Sequence, residues 1–125
     1  MKTTTASTIT GIATIGVPVR NQDLALAFFT GTLGFETRTD YRGDGFRWLT
    51  VAPQGSPVTI ALVHKPDDTG RDTGVRFIVE NAENEHERLV SLGVDVGNIL
   101  HWPGVPAMFD FRDRDGNLYE MVEAK

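Results

Sequence analysis

The chain contains no cysteine. That excludes disulfides, thiolate metal sites and cysteine nucleophiles. It fits a reducing compartment without requiring one. No run of Lys and Arg occurs and the formal net charge is −5, so nucleic acid and anionic membrane surfaces are poor partners. No apolar run approaches the ~20 residues of a membrane span. Residues 1–8 are polar and hold no apolar segment of the signal-peptide kind. From these absences the expected location is the cytoplasm, with no membrane and no nucleic acid as partner. The chain also lacks a Ser-His-Asp signature, a P-loop and a glycine-rich dinucleotide turn.

What is present is ordinary globular material. The 125 residues are 40% hydrophobic and 23% charged, enough for one compact domain with its own core. After the tail of residues 1–8, Ile9 to Val19 is apolar and β-branched and reads as a strand. Asn21 is a suitable helix N-cap, with Asp23 in the first turn. Leu24, Ala27, Phe28 and Leu33 keep helical spacing, and Gly34 closes that helix. Strands are expected over Phe35–Arg42, Phe46–Ala52 and Val58–His64, with Gly43-Asp44-Gly45 as a hairpin turn. This first unit, 9–64, is βαβββ. Lys65–Thr73 is a polar linker.

The same order then recurs over 74–123. Gly74–Val79 reads as a strand, Asn81 as an N-cap, and Leu89 and Leu92 as part of a helix closed by Gly93. Val94 to about Trp102, Ala107–Arg112 and Leu118–Val122 read as strands. Val19-Arg20-Asn21 matches Val79-Glu80-Asn81, and Leu33-Gly34-Phe35 matches Leu92-Gly93-Val94. Matched helix entries and exits at a fixed offset argue for duplication. The expected fold is α+β: two tandem βαβββ modules forming a curved half-barrel, helices outside, around a cup suited to a small molecule.

These elements carry a family resemblance. Val17-Pro18-Val19-Arg20-Asn21-Gln22-Asp23 running into Ala27-Phe28-Phe29 is one carrier. Leu33-Gly34-Phe35, Leu89 to Val94, and Asp113-Arg114-Asp115-Gly116-Asn117-Leu118-Tyr119-Glu120 are the others. Over residues 9–122 the chain resembles the vicinal oxygen chelate superfamily, which includes glyoxalase I, bleomycin-resistance proteins, fosfomycin-resistance enzymes and extradiol dioxygenases. The resemblance implies a homodimer, since short members commonly pair and build their sites at the interface. It also implies up to four metal-ligand positions, which fall here on Thr14, Ala61, Gly74 and Glu120. Only Glu120 is a ligand type, whereas a catalytic divalent site takes about three. No metal and no other cofactor is therefore expected.

Glu120 draws attention for a second reason. It sits between Tyr119 and Met121, where a carboxylate facing a dry core is costly. Strand alternation places Arg76 on the face of Gly74. If the family topology holds, Arg76 and Glu120 come from adjacent strands and form either an internal ion pair or a seat for a ligand's anionic group. Further candidate ligand contacts are Thr14, Trp48 and Thr50, the loop residues His101 and Trp102, and Phe109 and Phe111. For each, a plain structural role stands beside the binding role. Two functions follow from the resemblance. One is sequestration of a small organic molecule without a catalytic metal, in the manner of bleomycin-resistance proteins. The other is lyase or isomerase chemistry on a small oxygenated substrate, with Glu120 as base or metal ligand.

Overall fold

The computed structural model describes residues 5–124; the first four residues of the expected tail lie outside it. Among the described residues the chain forms eight strands and two α-helices. The first module holds β1 (Thr14–Val19), α1 (Gln22–Ala27), β2 (Glu36–Gly43), β3 (Phe46–Ala52) and β4 (Thr59–His64). The second holds β5 (Asp72–Val79), α2 (Ala82–Ser91), β6 (Asp95–Val96), β7 (Met108–Arg112) and β8 (Leu118–Glu123). The strands form two separate open sheets, ordered β1-β4-β3-β2 and β5-β8-β7-β6. In each, the first and last strands of the module run parallel and the rest antiparallel. This is the α+β pair of βαβββ units that the repeat implied. No helix among the described residues is long and apolar enough to cross a membrane.

Both helices start as their sequences dictate. Asn21 Oδ1 accepts from the Leu24 amide at 2.9 Å, and Asn81 Oδ1 accepts from the Asn84 amide at 2.9 Å. Both end on glycine in the left-handed region, Gly34 (φ 80°) and Gly93 (φ 78°). Beyond Ala27 the first helix runs on as a π-helical turn over Phe28–Thr32.

Three expected boundaries move. β1 begins at Thr14 rather than Ile9, because its partner β4 starts only at Thr59 and residues 5–13 lie exposed. β5 starts at Asp72, inside the expected linker, and its register slips between Asp72 and Arg76, where Gly74 takes φ 71°. The expected strand Val94–Trp102 shrinks to Asp95–Val96 plus one bridge, Leu100 to Met108. Its pairing with β7 lapses between Gly97 and Leu100.

Val17, Val19, Leu49, Val51, Ile60 and Leu62 of the first sheet share one core with Val75, Phe109, Phe111, Tyr119 and Met121 of the second. The helices add Ala25, Ala82 and Leu89, and the π turn adds Phe29. Phe29 meets Tyr119 edge-on across the modules, and Phe35 meets Phe77. Each sheet thus turns its apolar face to the common core and leaves its other face open.

The modules are locked together by the β7–β8 turn. Asn117 is fully buried. Its Nδ2 donates to the Pro18 carbonyl at 2.7 Å and to Asp113 Oδ2 at 3.1 Å. Its Oδ1 accepts from the amides of Gly70 and Arg71. Asp113 Oδ2 also accepts from the Tyr119 hydroxyl at 2.7 Å. Burial, followed by the charge of Asp113, pushes the Tyr119 phenol well above its ordinary pKa.

Candidate functional site

The two open faces carry the residues of interest, and the strand register aligns them. In the first sheet Gly16 lies beside Ala61, Ala61 beside Thr50, and Thr50 beside Thr39. In the second, Arg76 lies beside Glu120 and Glu120 beside Asp110, with the Gly97 amide bonded to the Asp110 carbonyl. These are corresponding rows of one repeat. The first row is small and hydroxylic; the second is charged.

Arg76 Nε lies 3.3 Å from Glu120 Oε1, with side chains 64% and 32% exposed. The pair joins the parallel strands β5 and β8 on the open face, where water screens it and its net stabilisation is small. Asp110 sits opposite Glu120 with like charge, a destabilising neighbour. Its carboxylate instead covers Gly97, where any Cβ would collide with Oδ1.

On the first sheet the open face is aromatic. Trp48 and Tyr41 are direct cross-strand partners. The Phe46 ring, two residues before Trp48, lies 5.9 Å from the Tyr41 ring. Tyr41, Phe46 and Trp48 are 59%, 58% and 42% exposed. Gly43 makes room for this arrangement, since a Cβ there would overlap the Phe46 ring. Of the three aromatics, only Trp48 stood out in the sequence reading. The missed signal was the hairpin itself: Asp44-Gly45 as the two-residue turn pairs Gly43 with Phe46 and hence Tyr41 with Trp48.

Thr50 lies on the face of Trp48 but is buried among its neighbours. Thr14 pairs with Thr59 and donates its hydroxyl to the Thr59 carbonyl at 3.1 Å. Phe109 and Phe111 must be moved from the expected ligand face. They point into the core, 1% and 0% exposed, because Asp110 between them takes the open side. His101 Nε2 lies 3.8 Å from Glu83 Oε1 in the first turn of α2, and Trp102 beside it is exposed. The structure thus brings Arg76 and Glu120 together. Trp48 and Thr50 stand on the other sheet, and His101 is apart from both.

The donor set does not suit a divalent metal. Among the described residues, no three His, Cys, Asp or Glu side chains converge. The register fills the row with Gly16 and Ala61 in one module and a guanidinium against Glu120 in the other.

This fold and its duplicated rows agree with a family match over residues 11–121: the chain belongs to the Glyoxalase/Bleomycin resistance protein/Dioxygenase superfamily. Among solved structures, it is similar to TnmS3, described as an antibiotic binding protein from Streptomyces sp. CB03234. They share 29% identity over 96% of this chain and all of that one, with a TM-score of 0.85. A superfamily member from Sphaerobacter thermophilus DSM 20745 shares 28% identity over 93% of this chain and 98% of that one, TM-score 0.85. Uncharacterized protein YetH of Bacillus subtilis (strain 168) is 28% identical over 119 residues, 90% of this chain and 97% of its own length.

Proposed function

We propose that the protein binds a small planar organic molecule and holds it without a catalytic metal. The observation that carries this reading is the exposed trio Tyr41, Phe46 and Trp48 on an open sheet face. Three neighbouring rings left to water are costly unless something covers them. The antibiotic-binding description of TnmS3, similar over nearly the whole chain, supports a ligand of drug size.

The site in this reading needs two copies of the chain. Each open face is one-sided, and the second face, with Arg76 and Glu120, belongs to the other module. A homodimer that lays the second-module face of one copy over the first-module face of its partner encloses the molecule. Rings then lie on one side and a charged pair on the other. Thr50 lines the aromatic side and Thr14 completes its edge strand. The Arg76–Glu120 pair receives a polar substituent of the ligand. The catalytic alternative gives Glu120 the part of a base. Proton transfer to a substrate asks for a second positioned group besides its arginine. The neighbour within the chain, Asp110, shares the charge of Glu120 and lies over Gly97, so binding is the reading adopted.

A thermal-shift screen of planar aromatic antibiotics, followed by titration of a hit into Trp48→Ala, tests it. Losing a stacked ring is expected to weaken binding about tenfold. An unchanged affinity would refute the aromatic site. Turnover of the hit that disappears in Glu120→Gln while binding persists would hand the case to catalysis.

A further inference from the structure

The first sheet contains a split that its repeat lacks. In the second module β7 and β8 stay paired from Met108–Val122 to Arg112–Leu118. In the first, β3 and β4 pair only at Thr50–Ala61 and Val51–Ile60. The hairpin then peels away from the end of β4. Gln22 stands in the gap: its Nε2 donates to the Leu62 carbonyl at 2.8 Å and to the Arg47 carbonyl at 3.2 Å, one on each strand. The corresponding residue of the second module is Ala82, too short to bridge anything and buried against a closed ladder. Gln22 therefore acts as a spacer that satisfies the carbonyls a closed ladder would have used.

The opening is a cleft of about 670 Å³. Phe46 and Val63 border it on the open-face side, and Arg20, Arg42, Arg47 and His64 border it elsewhere, with the Asp23 carboxylate among them. The arginines are not equally committed. Arg47 is held by Asp40 in a two-point pair at 2.8 Å and by Asp23 at 2.7 Å. Among the described residues Arg42 pairs only with Asp23, at 3.8 Å, and its side chain is 66% exposed. Arg20 Nη1 donates to the carbonyl and the carboxylate of Asp115, both at a long 3.4 Å, and its side chain is 58% exposed. Register places Arg42 on the helix side of the hairpin, the opposite face from Tyr41 and Trp48, yet it lines the same cleft as Phe46 and Arg20. Two loosely held guanidinium groups there form a recognition pattern for a planar acid, because guanidinium pairs a carboxylate in two-point geometry.

We infer that this cleft is an anion-binding subsite and that the molecule stacked on Tyr41, Phe46 and Trp48 is an aromatic acid. Its acid group reaches round the hairpin end, past Phe46 and Gly45, to Arg42 and Arg20. The inference rests on the aromatic platform of the proposed function and adds the charge of the ligand.

The test uses 2-naphthoate, 2-naphthalenemethanol and 2-naphthylmethylammonium as probes, titrated by calorimetry at neutral pH into the full chain. The naphthoate is expected to bind at least about tenfold more tightly than the other two, and less tightly as salt rises. Arg42→Gln, a change at an exposed side chain, is expected to bring naphthoate and alcohol to the same affinity. Gln22→Ala is expected to weaken the naphthoate as well, with slowed amide exchange at Trp48 and Val63 as the strands re-pair. Equal binding of acid and alcohol to the unaltered chain, or a preference for the ammonium, would overturn the acid subsite and leave the platform standing. If none of the three binds, the platform falls and the subsite with it.

Discussion

At the scale of single residues, the most consequential side chain is Asn117, which has no part in the proposed site. Its side chain satisfies backbone groups of β1 and of the segment before β5, and donates to the Asp113 carboxylate of its own turn. Asn117→Leu strands several buried donors and acceptors at once. Each such orphan costs about 1–3 kcal/mol, so a loss of about 3 kcal/mol or more is expected in urea unfolding. Arg76 and Glu120 behave oppositely. Glu120→Gln is expected to change stability by less than about 0.5 kcal/mol, the ordinary range for an exposed pair. Asp40 gives a pH signature. The paired hydrogen bonds from Arg47 hold its carboxyl below the usual range. An acid depressed in the folded state stabilises above its unfolded value, about 3.9, and loses that contribution as pH falls through the folded value. Urea midpoints should therefore drop in the acid limb, and Asp40→Asn should flatten that limb. Tyr119 has the opposite shift, so its contribution is complete below about pH 10 and is lost above it. Its phenolate absorbance should appear together with unfolding.

At the scale of elements, the glycines at hairpins and bulges decide what the sheets present. Gly43 has an ordinary φ, and the group a Cβ would meet there is the exposed ring of Phe46. Gly43→Ala is expected to cost little stability, about 1 kcal/mol or less. It should displace the ring and weaken an aromatic ligand by several-fold, read by titration beside a melting curve. Much of this level was legible in advance. The N-caps Asn21 and Asn81 and the closing glycines follow from local chemistry, and the Arg76–Glu120 adjacency from strand alternation together with the topology that the family resemblance implied. The displaced items depend on partners distant in sequence. Ile9 and Ile12 look like strand residues but meet no neighbouring strand. Phe109 and Phe111 alternate correctly, yet which side faces the core was decided by sheet packing. The β3–β4 split is bridged by Gln22, whose role appears only when both strands are in place.

At the scale of the whole molecule, the two sheets leave edges as well as faces uncovered. β1 and β5 are both edge strands, and such edges invite pairing unless something shields them. Ile78 on β5 is 80% exposed, on the same side of its strand as Arg76. A large aliphatic side chain beside a charged pair on an edge strand suits a covered surface better than a wet one. A second copy covers it in the proposed assembly, which also encloses the aromatic trio. Sedimentation equilibrium at micromolar concentration is then expected to give twice the 13.8 kDa chain mass. Ile78→Asp, which changes no core contact, should shift the protein toward monomer with an unaltered circular dichroism spectrum. It should weaken an aromatic ligand in parallel, because half of the enclosure leaves with the partner. A monomeric wild-type chain that still binds such a ligand with full affinity would refute the two-copy site and confine binding to the first-module face and its cleft.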